Sequence, residues 1–422
     1  MIEIDKVLNT ILDDSIELPK VLVQGLTNNS SKVKKGFIFF AYKGDNFDGN
    51  EFIEDAFNNG ACLAISDSDK LESQKNVIKV DDVRTAAGIA CSNFYNFPQN
   101  KVKLIGITGT NGKTSTSTIL KSILDAENEK TLQIGTSGIK PSLDINSGLT
   151  TPDIFDLYEI LNHAVNNGFK NVVLEVSSHA LSQRRIENIS FDITAFTNLT
   201  LDHLDYHKTM EEYFFEKLKL FDLNKKNGSS VVMIDDEYGK RISELNSHAK
   251  CISLENKDVD YSCTSFRIND LGITGTLAWD SKTLDFQSKL FGSFNLENLI
   301  LAAAIAVELN ISRQSISEGI KNCTNIDGRL HLVENKINQM IFLDYGHTPD
   351  AYLKVLKTLK DNFSHPLKVL FGAGGGRDKS KRPKMAEVVE RYSVECYLAP
   401  DNPRFEDIES INNDVIKGFS NE

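Results

Sequence analysis

Short apolar runs alternate with stretches of helical periodicity along most of the chain. The apolar runs predict strands at 37–42, 61–66, 102–108, 171–176, 191–197, 231–234, 340–343, 367–371 and 395–398. Apolar residues three and four positions apart predict helices at 52–59, 85–95, 114–126 and 295–309. This alternation is typical of an α/β fold with parallel sheets.

Two segments depart from that alternation. Residues 265–288 alternate apolar and polar side chains, which predicts an antiparallel hairpin appended to the sheet. The run at 299–307 is apolar on all sides but too short to span a bilayer, so it predicts a buried helix. A Pro- and Asn-containing stretch at 96–100 suggests a domain boundary. We therefore expect three domains, at 1–100, 101–327 and 328–422.

Composition narrows the class of protein. The 422 residues carry a net charge of −12, which argues against non-specific nucleic-acid binding. The acidic N-terminus lacks the apolar core of a signal peptide. The six cysteines have no CxxC spacing and are expected to be reduced thiols rather than zinc ligands. We expect a cytoplasmic monomer that binds neither nucleic acid nor membrane.

A glycine-rich loop between a predicted strand and a predicted helix carries the strongest chemical signal. It reads Gly106-Ile-Thr-Gly-Thr-Asn-Gly-Lys-Thr114. Its backbone would approach the phosphates of ATP, Lys113 would contact the β- and γ-phosphates, and Thr114 would bind Mg²⁺. The strict motif requires glycine where Ile107 stands, so the loop is a variant. The alternative is a glycine-rich turn that merely starts a helix.

Ionisable side chains follow the later strands, where ligands bind in open α/β sheets. Glu175 is a plausible Mg²⁺ ligand, although a capping carboxylate is equally compatible with this segment alone. The run Asp202-His203-Leu-Asp-Tyr-His207 suggests a second cation or an acid–base role, while either His alone would be structural. Lys217 and Lys219 alone suggest a solvated helix face.

Three further loops follow strands of the C-terminal third. Asp344 ends an apolar run, and Arg329 follows Gly328. The segment 371–378 is glycine-rich and is followed by basic residues, which suits an anion or the closure of a lid. Arg404, in Asp401-Asn-Pro-Arg, could hold a carboxylate through a bidentate pair of hydrogen bonds.

Taken together, these segments resemble the Mur ligase family in its MurE type, the UDP-N-acetylmuramoyl-dipeptide:amino-acid ligases. The resemblance covers nearly the whole chain. Its motifs are Gly-Thr-Asn-Gly-Lys-Thr (109–114), Thr-Thr-Pro (150–152), Glu-Val-Ser-Ser-His-Ala-Leu (175–181), Asp-His-Leu-Asp-Tyr-His (202–207), Gly-Ser-Phe-Asn-Leu-Glu-Asn (292–298), Asp-Tyr-Gly-His-Thr-Pro-Asp (344–350), Lys-Arg-Pro (381–383) and Asp-Asn-Pro-Arg (401–404). It implies a UDP-binding domain, a central ATPase domain with a P-loop and parallel sheet, and a Rossmann-like C-terminal domain.

The resemblance also implies roles for individual residues. ATP would be bound by Gly109, Thr110, Asn111, Gly112, Lys113, Thr114, Ser115, Asn295, Asn298, Arg329 and Asp344. Mg²⁺ would be held by Thr114, Glu175, His203 and a carbamylated Lys217, and Lys113, Glu175, His203 and Lys217 would form the catalytic set. The UDP-N-acetylmuramoyl dipeptide would contact Ser30, Thr150, Thr151, Ser177, Gln183 and Arg185. The free amino acid, meso-diaminopimelate by this motif, would contact Asp401, Asn402 and Arg404.

The chain departs from the family pattern in several places. Asn28-Asn29-Ser30-Ser31 stands where Asp-Ser-Arg is usual, Asn50 replaces a His, and Gly376 replaces an acidic residue. Family members continue for several dozen residues beyond the Asp-Asn-Pro-Arg motif, in a tail that helps grip the acceptor, so we expect a shortened C-terminal domain.

Three alternatives follow from these observations. They are a non-ligating paralogue that binds ATP or UDP-muramoyl peptide, a folylpolyglutamate-synthetase-like ligase and, more weakly, a simple phosphotransferase.

Overall fold

A computed structural model describes residues 1–12, 18–44, 47–69, 76–143, 145, 148–269, 271–337 and 339–420. The chain divides into two compact units, each assembled from separate segments. The first unit contains Met1–Gly106, Glu129–Asp192 and Asp222–Gly228. The second contains Ile107–Asn128, Ile193–Phe221 and Ser229–Glu422.

Strands are distributed along the whole chain. They are β1 (Ile2–Glu3), β2 (Leu22–Val23), β3 (Gly25–Thr27), β4 (Phe37–Ala41), β5 (Ala61–Ser66), β6 (Val77–Lys79), β7 (Lys103–Thr108), β8 (Thr131–Gly135), β9 (Gly138–Lys140), β10 (Asn171–Glu175), β11 (Phe191–Phe196), β12 (Asn224–Met233), β13 (Lys250–Ser253), β14 (Tyr261–Asn269), β15 (Gly272–Trp279), β16 (Lys282–Ser288), β17 (His331–Val333), β18 (Ile341–Leu343), β19 (Lys368–Phe371) and β20 (Glu395–Leu398).

Helices separate most of these strands. They are α1 (Ile4–Val7), α2 (Ile53–Asn58), α3 (Val83–Phe94), α4 (Lys113–Ala126), α5 (Ile154–Asn166), α6 (Ser178–Ser182), α7 (Leu204–His207), α8 (Met210–Asp222), α9 (Glu237–Leu245), α10 (Ser293–Glu308), α11 (Arg313–Asn322), α12 (Pro349–Asn362), α13 (Lys381–Tyr392) and α14 (Ile408–Ile416).

The first unit contains a parallel sheet in the order β3-β4-β5-β6. Phe39 of β4 and Ala64 of β5 pack with Ile53 of α2 in a core from which water is excluded. In the same unit β8 pairs with β10 in parallel and with β9 in antiparallel. Strand β10 is buried along its whole length, and so is its last residue, Glu175.

In the second unit, α4 packs against α10 and α11. Strands β12, β13 and β14 pair in parallel, and β14, β15 and β16 continue as an antiparallel sheet. Further along the chain, β17 pairs antiparallel with β18, and β19 pairs parallel with β20. Phe371, Met385, Val389 and Val415 join α13 and α14 to β19 in a separate hydrophobic cluster.

The fold class and the strand and helix patterns predicted above are confirmed, with ends that differ by a few residues, except that β12 begins well before residue 231. The predicted hairpin at 265–288 is wrong in extent. It is a segment of three antiparallel strands that starts at Tyr261, because the buried residues 261–263, which precede the predicted range, also belong to β14. The run at 299–307 lies inside α10, where its apolar side chains are almost fully buried. No helix in the described part of the chain is long and apolar enough to cross a membrane.

The domain boundaries expected at 100/101 and 327/328 stay predictions.

Candidate functional site

The predicted phosphate loop, residues 109–112, connects β7 to the first turn of α4. Gly112 has a φ of +87°, and a Cβ atom at this position would lie 2.4 Å from Oδ1 of Asn298. Both the backbone conformation and the neighbouring side chain therefore require glycine. Helix α4 begins at Lys113 without a side-chain cap. The N–H groups of its first turn make an environment that favours an anion.

Two lysine ammonium groups converge on one carbonyl oxygen of this loop. Nζ of Lys113 donates to the carbonyls of Gly109 and Thr110, each at 2.8 Å, and Nζ of Lys217 donates to the same Gly109 oxygen at 2.8 Å. Lys217 also lies 4.6 Å from the ring of Tyr213. Burial, and secondly the charge of Lys113, holds the pKa of Lys217 well below its usual range. Lys113 is thus the cation at the start of α4, and Lys217 is a buried amine beside it whose charged form is disfavoured.

The interpretation of Lys217 and Lys219 as a solvated helix face is wrong for the first of them. Lys217 is 1% exposed, whereas the side chain of Lys219 is 52% exposed and pairs with Glu216 at 2.7 Å. Two residues along a helix correspond to a rotation of about 200° about its axis, so the two side chains point to nearly opposite sides. Helix α8 therefore sends one lysine into the site and the other into solvent.

Side chains that follow β11 hold the phosphate loop in place. They are not among the site residues predicted from the sequence. The backbone N–H of Asn111 donates to Oδ1 of Asn198 at 3.0 Å, and the Thr197 hydroxyl donates to the Asn111 carbonyl at 2.6 Å. The N–H of Thr200 donates to the Thr110 hydroxyl at 3.0 Å. Their position directly after a strand, next to the His203 segment, was the signal available in the sequence.

The predicted nucleotide residues of α10 face the first turn of α4. Asn298 accepts a hydrogen bond from the Thr116 hydroxyl at 3.2 Å, and its amide contacts Oδ1 of Asn295 at 3.4 Å. Both asparagines are almost fully buried, as are Thr114 and Ser115 in the first turn of α4. The structure therefore brings these four predicted residues to one end of α4.

Asp202 lies between two histidines. Its carboxylate accepts the N–H of His203 at 2.9 Å and lies 3.5 Å from Nε2 of that residue. The same carboxylate lies 3.8 Å from Nε2 of His347, which belongs to the loop after β18. Burial opposes ionisation of Asp202, but the two histidines outweigh it and lower the pKa of the carboxyl. Neither Asp202 nor His347 was in the predicted site.

Arg329 and Asp344 lie on neighbouring turns of the chain. The guanidinium of Arg329 lies 5.5 Å from the ring centroid of Tyr345. The carboxylate of Asp344 accepts the N–H groups of Leu330 at 2.7 Å and Gly346 at 2.6 Å. These bonds fix the Asp344 carboxylate next to the backbone that carries Arg329.

The predicted acceptor residues line a large open cavity of about 1660 Å³ in the second unit. The carbonyl of Asn402 accepts the N–H of Gly375 at 2.9 Å, and the Arg404 guanidinium donates to the Gly375 carbonyl. The lining includes residues from the predicted acceptor, nucleotide and metal sets, namely His203, Asp344, Asp401, Asn402 and Arg404. The cavity is wide enough for a ligand larger than a single amino acid.

In the first unit, Glu175 is fully buried at the end of β10. The Thr136 hydroxyl donates to Oε2 of Glu175 at 3.1 Å and lies 3.1 Å from the Thr150 hydroxyl. Gly135 makes room for this carboxylate, because a Cβ atom there would lie 2.0 Å from Oε1. The Thr151 hydroxyl donates to the Glu175 carbonyl at 2.8 Å. The Thr-Thr-Pro motif is thus attached to the segment that carries Glu175.

The other predicted muramoyl-binding residues of this unit cluster around Thr151. The N–H of Ser177 donates to the Thr151 hydroxyl at 3.0 Å. The Arg185 guanidinium donates to the Thr151 carbonyl at 3.2 Å and also contacts the side-chain oxygen of Gln183. The structure therefore joins Thr151, Ser177, Gln183 and Arg185 through direct hydrogen bonds.

Ser30 lies in a short 3-10 turn, where its carbonyl accepts the side-chain amide of Asn59 at 3.0 Å. Asn28, two residues earlier, donates to Oδ2 of Asp153 at 3.3 Å, and Asp153 is the N-cap of α5. Asn28, which departs from the family pattern, therefore links this turn to the segment after Thr151, together with Lys32, whose Nζ lies 3.1 Å from Oδ1 of Asp156 in α5.

No group of three His, Cys, Asp or Glu side chains in the described ranges could hold a metal ion by itself. The predicted metal ligands include a hydroxyl and a lysine, which such a grouping does not count. Mg²⁺ sites beside phosphates commonly use only one or two carboxylates, with the remaining oxygens supplied by phosphate and water.

Three domain families match successive parts of the chain. The family described as "Mur ligase family, catalytic domain" matches residues 22–95, "Mur ligase middle domain" matches 107–306, and "Mur ligase, glutamate ligase domain" matches 328–421.

Curated relatives match over most of their length. The UDP-N-acetylmuramoyl-L-alanyl-D-glutamate--2,6-diaminopimelate ligase of Aquifex aeolicus is 40% identical over 399 residues, which are 94% of this chain and 82% of the relative. The protein of the same name from Caldanaerobacter subterraneus is 40% identical over 404 residues, 95% of this chain and 83% of the relative.

Solved structures agree with these sequence matches. A structure of a ligase with that same name aligns at a TM-score of 0.75 and 29% identity, covering 99% of this chain and 86% of the other. The Thermotoga maritima MurF ligase in complex with ADP aligns at a TM-score of 0.61 and 18% identity, covering 94% and 97%, which is a likeness of fold.

Proposed function

The chain belongs to the Mur ligase family, and from that premise we propose that it joins 2,6-diaminopimelate to UDP-N-acetylmuramoyl-L-alanyl-D-glutamate by an ATP-dependent amide ligation. This reaction builds a peptidoglycan precursor. Its need for ATP and for a nucleotide-linked substrate places the proposed activity in the cytoplasm.

The observation that carries this proposal is the position of the Lys113 ammonium, which donates to the Gly109 and Thr110 carbonyls at the start of α4, beside the buried amine of Lys217. A cation held only by neutral carbonyls makes a strong site for an anion that can replace those contacts. The N–H groups at the start of α4 favour the same charge. We assign this site to the terminal phosphates of ATP, with Lys113 moving from the Gly109 and Thr110 carbonyls onto phosphate oxygens.

The proposed chemistry has two steps. The D-glutamate carboxylate attacks the γ-phosphorus of ATP, which gives an acyl phosphate and ADP. The amine of diaminopimelate then attacks the acyl carbon, and the tetrahedral intermediate loses phosphate and a proton to form the amide. Cations and positioning lower the barrier of the first step, because the charge that develops lies on phosphoryl oxygens. The role of Lys113 is to stabilise that charge.

The described residues fit a magnesium ion of the kind that accompanies ATP. Glu175 is a fully buried carboxylate at the end of β10, and Thr114 offers a hydroxyl in the first turn of α4. Both are hard oxygen donors, which Mg²⁺ prefers. When bound, the ion neutralises phosphate charge. His203 remains a predicted ligand as well.

We further propose that Lys217 carries a carbamate in the active enzyme. Its neutral amine adds to CO₂, forming an N–C bond and releasing a proton, and the product is an anion. Burial favours the neutral amine that this addition needs. The carbamate would attract the Lys113 ammonium and would supply a further oxygen donor for Mg²⁺.

The acceptor residues support diaminopimelate as the incoming amino acid. Arg404 lines the cavity together with Asp401, and the pair offers a cation and an anion to the two charged groups at the distal end of diaminopimelate. Lysine lacks the distal carboxylate, so it would leave the guanidinium without a charged partner.

The test is a phosphate-release assay with ATP, Mg²⁺ and UDP-N-acetylmuramoyl-L-alanyl-D-glutamate, run separately with diaminopimelate and with lysine. We expect release that depends on diaminopimelate and is far slower with lysine. Tight ATP binding without amino-acid-dependent release would contradict the proposed ligation and favour a binding protein.

Lys113→Ala is expected to abolish turnover, since the cation that stabilises the phosphoryl charge is removed; comparable single losses at such sites are about 100- to 1000-fold. Lys121→Ala, on the same helix and paired with Asp125 at its surface, is the matched control and should keep normal rates. Normal rates in Lys113→Ala would remove the loop from the mechanism.

A further inference from the structure

Arg382 is a buried cation remote from the phosphate loop in sequence. It lies in the first turn of α13 and is 1% exposed, first among the largest fully buried side chains of the described residues. A buried guanidinium is tolerated only when it is paired and hydrogen-bonded. The hydrogen-bond partners of Arg382 therefore show which segments of the chain its guanidinium connects.

The guanidinium of Arg382 binds three segments at once. It forms a two-pronged pair with Glu406, with Nη1 to Oε1 at 2.9 Å and Nη2 to Oε2 at 2.7 Å. It also donates to Oδ2 of Asp414 in α14 at 3.0 Å and to the carbonyl of Gly374 at 3.1 Å. The planar fork of arginine matches a carboxylate in this geometry, and lysine cannot reproduce it.

Glu406 is bound from several sides. The N–H of Gly376 donates to its Oε2 at 3.0 Å, and Lys379 lies 2.8 Å from Oε1. Glu406 therefore ties the glycine-rich loop, residues 372–376, to the loop that contains Asn402 and Arg404. The two loops also touch directly, because a Cβ atom on Gly375 would lie 1.9 Å from the carbonyl oxygen of Pro403.

Arg404 depends on the same pair of loops. Its guanidinium donates to the Gly375 carbonyl, while the Gly375 N–H donates to the Asn402 carbonyl at 2.9 Å. The Arg404 side chain itself is exposed to the cavity. Its direction is thus set by the glycine-rich loop, and that loop is fixed from its buried side by Arg382 and Glu406.

We propose that Arg382 and Glu406 are positioning residues for the amino-acid acceptor. They fix the two loops so that Arg404 and Asn402 face the distal carboxylate of an α,ε-diamino dicarboxylic acid. This inference rests on the proposed ligation. Neither residue touches the acceptor, so each acts through Arg404 rather than as a catalytic residue.

The test compares Arg382→Lys and Glu406→Gln with Asp414→Asn as the matched control, because Asp414 binds the same guanidinium from α14 alone. KM values for diaminopimelate, ATP and the UDP-linked dipeptide, together with kcat, are measured below the unfolding temperature of every variant. We expect KM for diaminopimelate to rise on the order of tenfold or more in the first two variants, since small misplacements cost about 100-fold at reacting sites. The other KM values, and all values for Asp414→Asn, should change less than about twofold.

A double-variant cycle separates positioning from general stability. If Arg382 acts through Arg404, Arg382→Lys should have no further effect on KM for diaminopimelate when Arg404 is already Ala. Lower unfolding temperatures with an unchanged KM, or full additivity with Arg404→Ala, would overturn the positioning role while leaving the ligation intact. Absence of diaminopimelate-dependent phosphate release in the unaltered protein would overturn both proposals.

Discussion

At the residue scale, the chemistry of the site depends on ionisable side chains that are buried away from water. Lys217 is an amine buried inside the protein, and Glu175 is a carboxyl group at the buried end of a strand. Glycine is required at Gly112 and Gly135, because a methyl group at these positions would overlap the side chains of Asn298 and Glu175, respectively. Substitutions at these positions therefore have effects that can be separated from ordinary loss of packing.

Gly112→Ala should weaken ATP binding much more than it weakens the fold. A positive φ costs about 1–2 kcal/mol for a residue with a Cβ atom, and the clash with Asn298 adds to that cost at the nucleotide site. Gly138→Ala is a matched control, because Gly138 has a similar φ of +83° and no atom within 4 Å of an added Cβ. Calorimetric ATP titration and thermal unfolding of both variants provide the measurements. Equal ATP affinities in the two variants would contradict the role given to the loop.

Lys217→Met should change how stability depends on pH in CO₂-free buffer. The pKa of Lys217 is lowered in the folded protein from about 10.4 in the unfolded chain, so between the two values the unfolded chain binds more protons and stability rises with pH. We expect the methionine variant to unfold at a higher temperature than the unaltered protein at pH 7, with a difference that narrows toward pH 10. Lys219→Met should leave the pH profile unchanged. Parallel curves for Lys217→Met and the unaltered protein would show that this amine carries no burial penalty.

At the element scale, caps and strand ends place the loops. Asp236 caps α9 through the N–H of Gly239 at 2.6 Å, and its other oxygen accepts the N–H of Leu199 at 2.9 Å. Leu199 lies in the loop between β11 and α7, which carries Asn198 and Thr200. One carboxylate thus starts a helix and also holds the segment that supports the phosphate loop.

Asp236→Ala should lower the free energy of unfolding by about 1–2 kcal/mol, the range measured for lost caps. Asp236→Asn keeps one of the two acceptor oxygens, so it should lose only one of these hydrogen bonds and cost less. Urea unfolding of both variants checks the difference, and an equal loss would mean that the two hydrogen bonds do not stabilise this junction independently.

At the scale of the whole molecule, ATP recognition and acceptor recognition use different elements. The phosphate loop belongs to the start of α4, whereas Arg404 follows β20 near the end of the described chain. Because these elements are far apart in sequence and use different hydrogen bonds, a change in one should leave binding at the other intact.

Arg404→Ala should raise KM for diaminopimelate strongly and leave ATP affinity unchanged, because only the acceptor carboxylate loses its partner. Arg391→Ala, an exposed arginine at the end of α13, is the control and should change neither value. Steady-state kinetics with a parallel ATP titration give both quantities. An equal loss of acceptor and ATP binding would reject the acceptor role of Arg404.

The sequence by itself determined the elements and the phosphate loop. The strand Ala61–Ser66 and the Gly-Lys-Thr start of α4 are both local patterns. Hydrophobic periodicity and the backbone freedom of glycine act over only a few residues, so the sequence is sufficient to predict them. The family resemblance supplied Lys217 as a functional residue, but the residues around it alone suggested a solvated face.

Tertiary structure decided which charges are buried and what they hold. Whether Lys217 lies in water or contacts Gly109 depends on which residues pack over α8. Arg382 connects several segments because Glu406 and Asp414, which come later in the chain, bind its guanidinium. Asp202 likewise lies close to His347, although more than a hundred residues separate them in the sequence. The cost of burying a charge is set by partners distant in sequence, and no local pattern encodes those partners.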